Sequence, residues 1–511
     1  MRFFHFFLFT FFSFSFLFGQ AGFIKTYEFE GAAGCAFHNI ISKQDTLIIL
    51  GTRRVDSLDQ WGILFAKVDT FGNILAHRVY TDSLGDFMAL APNYSIIRTE
   101  DNGYLITGIF LYRESGFLLK VDVNGNVEFV KEFPDSTVLT IDQRKVLEVP
   151  GGYLVAGSKQ KPDYAKDIFV MKTDKQGNKL WERSYGEPNI DEITGSFLQI
   201  DENTFILGAG KSGKRNSAAP LEEVWGKSKI FAIDSLGNLK WEWEAPTIND
   251  ALGTIGLHHL DDGSWVYSSR TFEITNPNDP SGWISRGRII KRDSNFNIVW
   301  EKTLGLPSSF LNAFTELAPI SDGGWVAVGQ MTEPIIGETN SQSAWMYKVS
   351  STGESLWERL DTVLWHPLTG SVNYAGGVTV LPSGSIVACG KNNQYLPTAR
   401  SSGWLIKVDE RGCIEPGCNP VSTAVRAPER REWKVYPNPA VDVLNVELEG
   451  GQPADVELID SFGKVVLKKA GLSGLTTLDI SRLPAGSYFV RLICEGQVWV
   501  EKMIKTGTFQ Y

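Results

Sequence analysis

The chain of 511 residues sets 49 basic against 59 acidic side chains, a net charge of −10 without long runs of one sign, which disfavours a nucleic-acid or anionic-membrane surface. Fifty glycines and 12% aromatics suit many short strands joined by tight turns. Five cysteines are few for a chain of this size, so the fold must be held by its core rather than by disulfides.

Residues 1–21 read as a secretory signal peptide: Arg2, a run dominated by phenylalanine from Phe3 to Phe18, then the small-residue stretch Gly19-Gln20-Ala21. The run is short for a spanning helix, which needs about 20 apolar residues. No other stretch could cross a bilayer, so export without a transmembrane anchor is expected.

From residue 22 an apolar strand runs repeatedly into an Asp-x-x-Gly-Asn-type turn and out into a second strand, as in Phe169-Val170-Met171-Lys172-Thr173-Asp174-Lys175-Gln176-Gly177-Asn178-Lys179-Leu180-Trp181. The turns fall at Asp69, Asp122, Asp174, Asp234, Asp293, Ser350 and Asp409, spaced by 53, 52, 60, 59, 57 and 59 residues. A period above fifty with several strands per copy predicts an all-β, seven-bladed propeller over residues 22–415. Within a copy, a first strand leads through a tight turn such as Pro150-Gly151-Gly152, Asp101-Asn102-Gly103 or Asp322-Gly323-Gly324 to a second strand; glycine there is expected to supply positive φ. A variable connection follows, and the aspartate hairpin supplies the last two strands.

Copy seven lacks its fourth strand, because the loop Cys413 to Cys418 stands in its place. The segment Phe23-Ile24-Lys25-Thr26-Tyr27-Glu28-Phe29-Glu30 is expected to fill that edge and close the ring. Cys413 and Cys418 are close enough in sequence to form a disulfide. Cys35 and Cys389 fall in the first and last blades, and sequence does not decide whether they meet.

Phe129, Trp181, Trp241, Trp300 and Trp357 recur four residues after the hairpin glycine position. They are either sugar-stacking platforms or wedges between blades, and their fixed framework position favours wedges. The turn aspartates are either calcium ligands or Asx-type caps; no bidentate glutamate follows at EF-hand distance, which favours caps. His258, His259 and His38 lie in first strands and read as channel lining or packing rather than as a metal site. The sequence has no HExxH, P-loop or GxSxG pattern and no zinc-type cysteine pair, so no catalytic residue, metal or cofactor is assigned. The second-to-third connections share the face opposite the tight turns. They hold Tyr164, Trp225, Trp283 and Tyr395, the candidate ligand-binding residues.

Residues 416–432, rich in proline and arginine, read as a linker, and 433–511 as a small antiparallel β-sandwich. Its motifs are the opening Tyr436-Pro437-Asn438-Pro439, the turn ending in Gly463-Lys464, the segment Leu483-Pro484-Ala485-Gly486-Ser487-Tyr488, and a basic final strand with Lys502 and Lys505. Over about 435 to 506 this resembles the type IX secretion system C-terminal sorting domain, type A. The resemblance implies passage across the outer membrane of a Gram-negative cell, with the secretion machinery and its sortase as partners. The Gly-x-x-x-Trp step of the repeats is also similar to quinoprotein repeats, but no cofactor-binding set accompanies it. Together these readings predict a secreted or cell-surface propeller that binds an extracellular glycan or protein; a propeller enzyme acting on polysaccharide through paired carboxylates is the alternative.

Overall fold

The computed structural model describes residues 22–29, 32–55, 60–81, 87–88, 96–110, 113, 115–162, 165–213, 226–246, 253–274, 283–306, 311–333, 341–363, 372–394, 400–415, 418, 433–448, 453–460, 465–494 and 497–506. Residues 1–21, most of 416–432 and 507–511 lie outside them. All regular structure among the described residues is β. The chain divides into two compact units, Met1–Thr423 and Ala424–Tyr511.

In the first unit the strands pair as consecutive antiparallel meanders at residues 32–80, 87–133, 140–185, 190–244, 255–304 and 312–361, followed by a last group built on Val372–Val380, Ile386–Gln394 and Arg400–Val408. The first strand of the second meander is in two pieces, Phe87–Met88 and Ile96–Arg98. The fourth strand of the last group comes from the other end of the chain: Phe23–Tyr27 pairs antiparallel with Arg400–Val408, Phe23 opposite Lys407 and Tyr27 opposite Gly403. From the second meander to the seventh, and from there to the first, each first strand contacts the next, so these strands surround the axis of a β-propeller.

The blades stack face to face, which explains why second and third strands are apolar without alternation. Leu47, Ile48, Ile49 and Leu50 are all buried, two toward each neighbouring blade, whereas the outer strand Val127–Phe133 alternates between exposed and half-buried positions. First strands carry a bulge near their middle, at Gln143/Lys145, Thr194/Ser196, Phe314/Glu316 and Ala375/Gly377, which turns extra side chains toward the axis.

Each hairpin aspartate closes its own turn. Asp174 Oδ1 accepts from the Gln176 and Asn178 amides at 3.0 and 2.7 Å, and Oδ2 accepts from the Asn178 side chain at 2.8 Å. Asp69, Asp122, Asp234 and Asp293 repeat the set, and the Ser350 hydroxyl replaces it in the sixth blade. The tight first turns hold one correction: in Asp101-Asn102-Gly103 the left-handed residue is Asn102, at φ 67°, not the glycine. Gly103 is needed for room, since a Cβ there would stand 2.5 Å from the Val121 carbonyl oxygen.

The second unit is a sandwich. A three-stranded sheet of Trp433–Tyr436, Val443–Leu448 and Gly474–Asp479 faces a four-stranded sheet of Val465–Leu472, Ala454–Asp460, Gly486–Cys494 and Gln497–Lys505. Leu444, Val446 and Leu478 from one sheet pack with Val456, Leu458, Val490 and Leu492 from the other in one buried core.

Candidate functional site

The recurrent aromatics are consumed by the ring itself. The Phe129 ring lies on Gly177 of the next blade, so close that a Cβ on Gly177 would be 2.7 Å from it; Trp181 lies likewise on Gly237, Trp300 on Gly353, Trp357 on Gly412, and Phe23 on Gly72 across the closure. Polar atoms add to the contact: the Tyr80 and Tyr185 hydroxyls donate to the Gly125 and Gly237 carbonyls, and the Trp300 and Trp357 indoles donate to the Ser351 and Glu410 carbonyls. These rings hold each blade to the next.

A second recurrent set escapes sequence reasoning. Six blades carry a lysine two residues before the hairpin position. Lys67, Lys348 and Lys407 donate to the Val123, Glu410 and Thr70 carbonyls in the turn of the following blade. A lysine in an apolar strand reads as an exposed position, yet Lys407 is fully buried and its ammonium spans the junction.

Between the second and third blades Lys120 instead stays within its own blade, pairing with Asp101 at 2.8 Å and Glu128 at 3.0 Å. Beside it opens a cavity of about 460 Å³ on the tight-turn face, lined further by Phe129, Tyr153, Glu148 and Lys175. Lys175 pairs with Glu148 and Glu100. Burial works upward on the Asp101 carboxyl, but the Lys120 ammonium, the Thr99 hydroxyl and the Gly103 amide outweigh it and hold it at about 2. A carboxyl kept ionised in this way does not serve as a general acid near neutral pH.

At the fifth blade the hairpin reads Asp293-Ser294-Asn295-Phe296-Asn297, with phenylalanine at the left-handed position that glycine holds in the other blades. Phe296 has φ 63° and stacks between Trp243, at 4.7 Å and 10°, and Trp265, at 5.7 Å and 12°; His259 lies 4.3 Å beyond Trp265. Arg292 covers Trp243 at 4.7 Å. Left-handed backbone at a bulky residue is strained, and the aromatic stack sustains it.

The histidines do not converge. His258 packs on Trp325 and bonds the Leu317 carbonyl at 3.0 Å, while His38 bonds the Thr52 hydroxyl at 3.0 Å. No group of metal-ligating side chains forms among the described residues. Cys413 and Cys418 are disulfide-bonded, with Cα atoms 5.8 Å apart; Cys35 and Cys389 are separate buried thiols. Tyr164, Trp225 and Tyr395 lie outside the described residues. Trp283 begins the strand Trp283–Arg292 opposite Ile274, and its side chain lies outside the description.

In the second unit the motif pieces meet. The Asn438 side chain accepts from the Ile504 amide at 3.0 Å, the Ala440 amide donates to the Ile504 carbonyl at 2.8 Å, and the Lys505 ammonium stands 3.8 Å from Asp442. The Tyr-Pro-Asn-Pro opening is thereby docked on the final basic strand. Tyr488 donates its hydroxyl to the Pro484 carbonyl at 2.8 Å and fixes the Leu-Pro-Ala-Gly corner, while Leu483 packs on the core. Gly463, Lys464 and the Lys502 side chain lie outside the description. Residues 434–506 match the model of the secretion system C-terminal sorting domain. This unit is a sorting domain.

Such a sorting domain marks proteins exported by type IX secretion to the cell surface or extracellular space of Gram-negative Bacteroidetes, and it implies contact with that machinery. No helix among the described residues is long and apolar enough to cross a membrane. Among solved structures the chain is similar to PorZ, a surface component of the type IX secretion system of Porphyromonas gingivalis, at 12% identity over 91% of this chain and 69% of that one, with a TM-score of 0.29. It is also similar to the β-propeller of the Trilobed protease from Pyrococcus furiosus, at 9% identity over 73% and 94% with a TM-score of 0.38. A third similar structure is the α-L-arabinofuranosidase Arb93A from Fusarium graminearum, at 12% identity over 66% and 99% with a TM-score of 0.39. No curated protein matches the chain.

Proposed function

We propose that the propeller is the exported passenger, spanning residues 22–415 after removal of the leader 1–21, and that it binds an extracellular glycan or protein through the face of its long connections. The linker 416–432 and the sorting domain 433–511 deliver it through the type IX machinery, whose sortase acts on that C-terminal part. One observation carries the reading. Aromatic side chains on the turn side are spent on holding one blade to the next, whereas the second and third strands of these blades pair antiparallel, so their connections leave from the strand ends opposite the tight turns. Variable segments on a rigid ring are where recognition resides. Tyr164, Trp225, Trp283 and Tyr395 are its anchors.

The test is a glycan array probed with residues 22–432, each hit then assayed for turnover. Saturable binding without product, lost in Trp225→Ala or Trp283→Ala, supports the reading. Release of product moves the assignment to a polysaccharide-acting enzyme. Absence of any hit, together with capture of a surface protein, selects the protein ligand.

A further inference from the structure

We propose that the axis of the propeller, on the side of the long connections, holds a site for an anionic group, built from Lys391, Arg270, Tyr374 and His38. The ligand chemistry is a carboxylate, sulfate or phosphate oxyanion, as carried by acidic sugars. This deepens the reading of that face as the ligand face and rests on it for the biological role.

The placement comes from strand register. Lys391 lies opposite Tyr374 on the first strand of the seventh blade, and Arg270, opposite Gly287, holds the matching place in the fifth. The first and third blades have the uncharged Thr52 and Ser158 there, and the sixth has Gln330. Lys391 Nζ stands 5.6 Å over the Tyr374 ring, Tyr374 is within electrostatic reach of Arg270, and Lys391 is within reach of His38 from the first blade. Polar groups of three blades thus lie within electrostatic reach of one another.

Lys120, Lys159, Lys229 and Lys348 each hold a carboxylate, yet no described carboxylate pairs with Lys391, in a chain with ten more acids than bases. Lys391 is half-buried, and burial draws its ammonium below the usual lysine range. A desolvated cation without a counter-ion is costly unless an anion supplies one. His38 gives the second, independent sign. It is only 7% exposed, its Nε2 is engaged by Thr52, and its Nδ1 has no hydrogen-bond partner. Burial, with Lys391 next, keeps the imidazole neutral; in the tautomer whose Nε2 accepts from the Thr52 hydroxyl, Nδ1–H is a donor suited to an oxyanion.

The experiment titrates the chain from residue 22 to its end with sulfate, phosphate and glucuronate against chloride at equal ionic strength, read by calorimetry and thermal shift. Saturable binding of an oxyanion over chloride is expected. Lys391→Met should weaken it by at least about tenfold, the loss of one charge-assisted hydrogen bond, while Lys391→Arg should keep it. Arg270→Gln provides the second variant should Lys391→Met fail to fold. Glucuronate above the inorganic ions indicates an acidic glycan; phosphate or sulfate above glucuronate indicates an ester. No preference over chloride, or binding unchanged in both variants, overturns the site. Neutral glycans binding on the array with no oxyanion effect would overturn it and leave the ligand face standing; oxyanion binding with an empty array would do the reverse.

Discussion

Tyr27 and Gly72 are joined by a 2.8 Å hydrogen bond from the phenol to the carbonyl, which ties the strand that completes the last blade to the hairpin of the first. The same strand sends the Lys25 ammonium to the Phe71 carbonyl at 2.7 Å, and the Cys35 thiol accepts from the Gly403 amide at 3.1 Å across 368 residues. Removing residues 22–29 should therefore open the ring and broaden or lower the unfolding transition. Tyr27→Phe should cost about 1 kcal/mol in denaturant titrations, the worth of one buried hydrogen bond. An unchanged melting curve in the truncation would sink the closure role.

Gly177 is needed twice, for its φ of 80° and for its approach to Phe129. Gly177→Ala should destabilise by more than the ~1–2 kcal/mol that left-handed backbone alone costs an L-residue. The reverse change, Phe296→Gly, relieves a similar strain yet removes a ring stacked on both faces. Each aromatic pair is worth about 0.5–1.5 kcal/mol beyond its burial, so a net loss is expected; a gain in stability would show that the stack does not sustain the turn.

Acid should loosen the propeller through its hairpins. The carboxyls of Asp122, Asp174 and Asp293 are held below the usual range, first by the asparagine side chain four residues on. For Asp69 and Asp234 burial works upward and the same donors outweigh it. Folded values below the unfolded value of about 3.9 mean that the turns lend their full stability above that pH and lose it as pH falls through the folded values. The melting temperature should fall steeply below about pH 4, and combined Asp→Asn replacements should flatten that slope.

Delivery is separable from folding. A chain ended at Glu432 lacks the whole sorting domain and should accumulate in the periplasm while its propeller melts as in the parent. Normal appearance at the cell surface, followed by fractionation and immunoblotting, would contradict export through that domain.

Much of this fold is legible because its signals are local. Asp174 and Gly177 announce a hairpin by themselves, and the Phe23-to-Glu30 segment, in which apolar and polar residues mix, announces a strand that lacks a partner nearby. What stays hidden depends on neighbours that only the closed ring supplies. The role of Lys407 is set by the Thr70 carbonyl, and Gly103 is required because of the Val121 carbonyl; neither relation shows in a local pattern of residues. Phe296 stands where the other hairpins have glycine, and its place between Trp243 and Trp265 joins three separate stretches of chain. For Tyr164, Trp225, Trp283 and Tyr395 the sequence supplies residue type and an expected face, while their mutual distances depend on connections whose lengths carry no period.

The strand Phe23–Tyr27 precedes the edge it completes, Arg400–Val408, by nearly the whole length of the propeller. A chain crossing the inner membrane from its N-terminus must thus carry an unsatisfied edge until residue 408 has followed. Completion of the ring is in effect a checkpoint on full-length export: a product truncated ahead of that strand has nowhere to dock its own beginning, and it reaches the outer membrane neither closed nor equipped with a sorting domain to take it further.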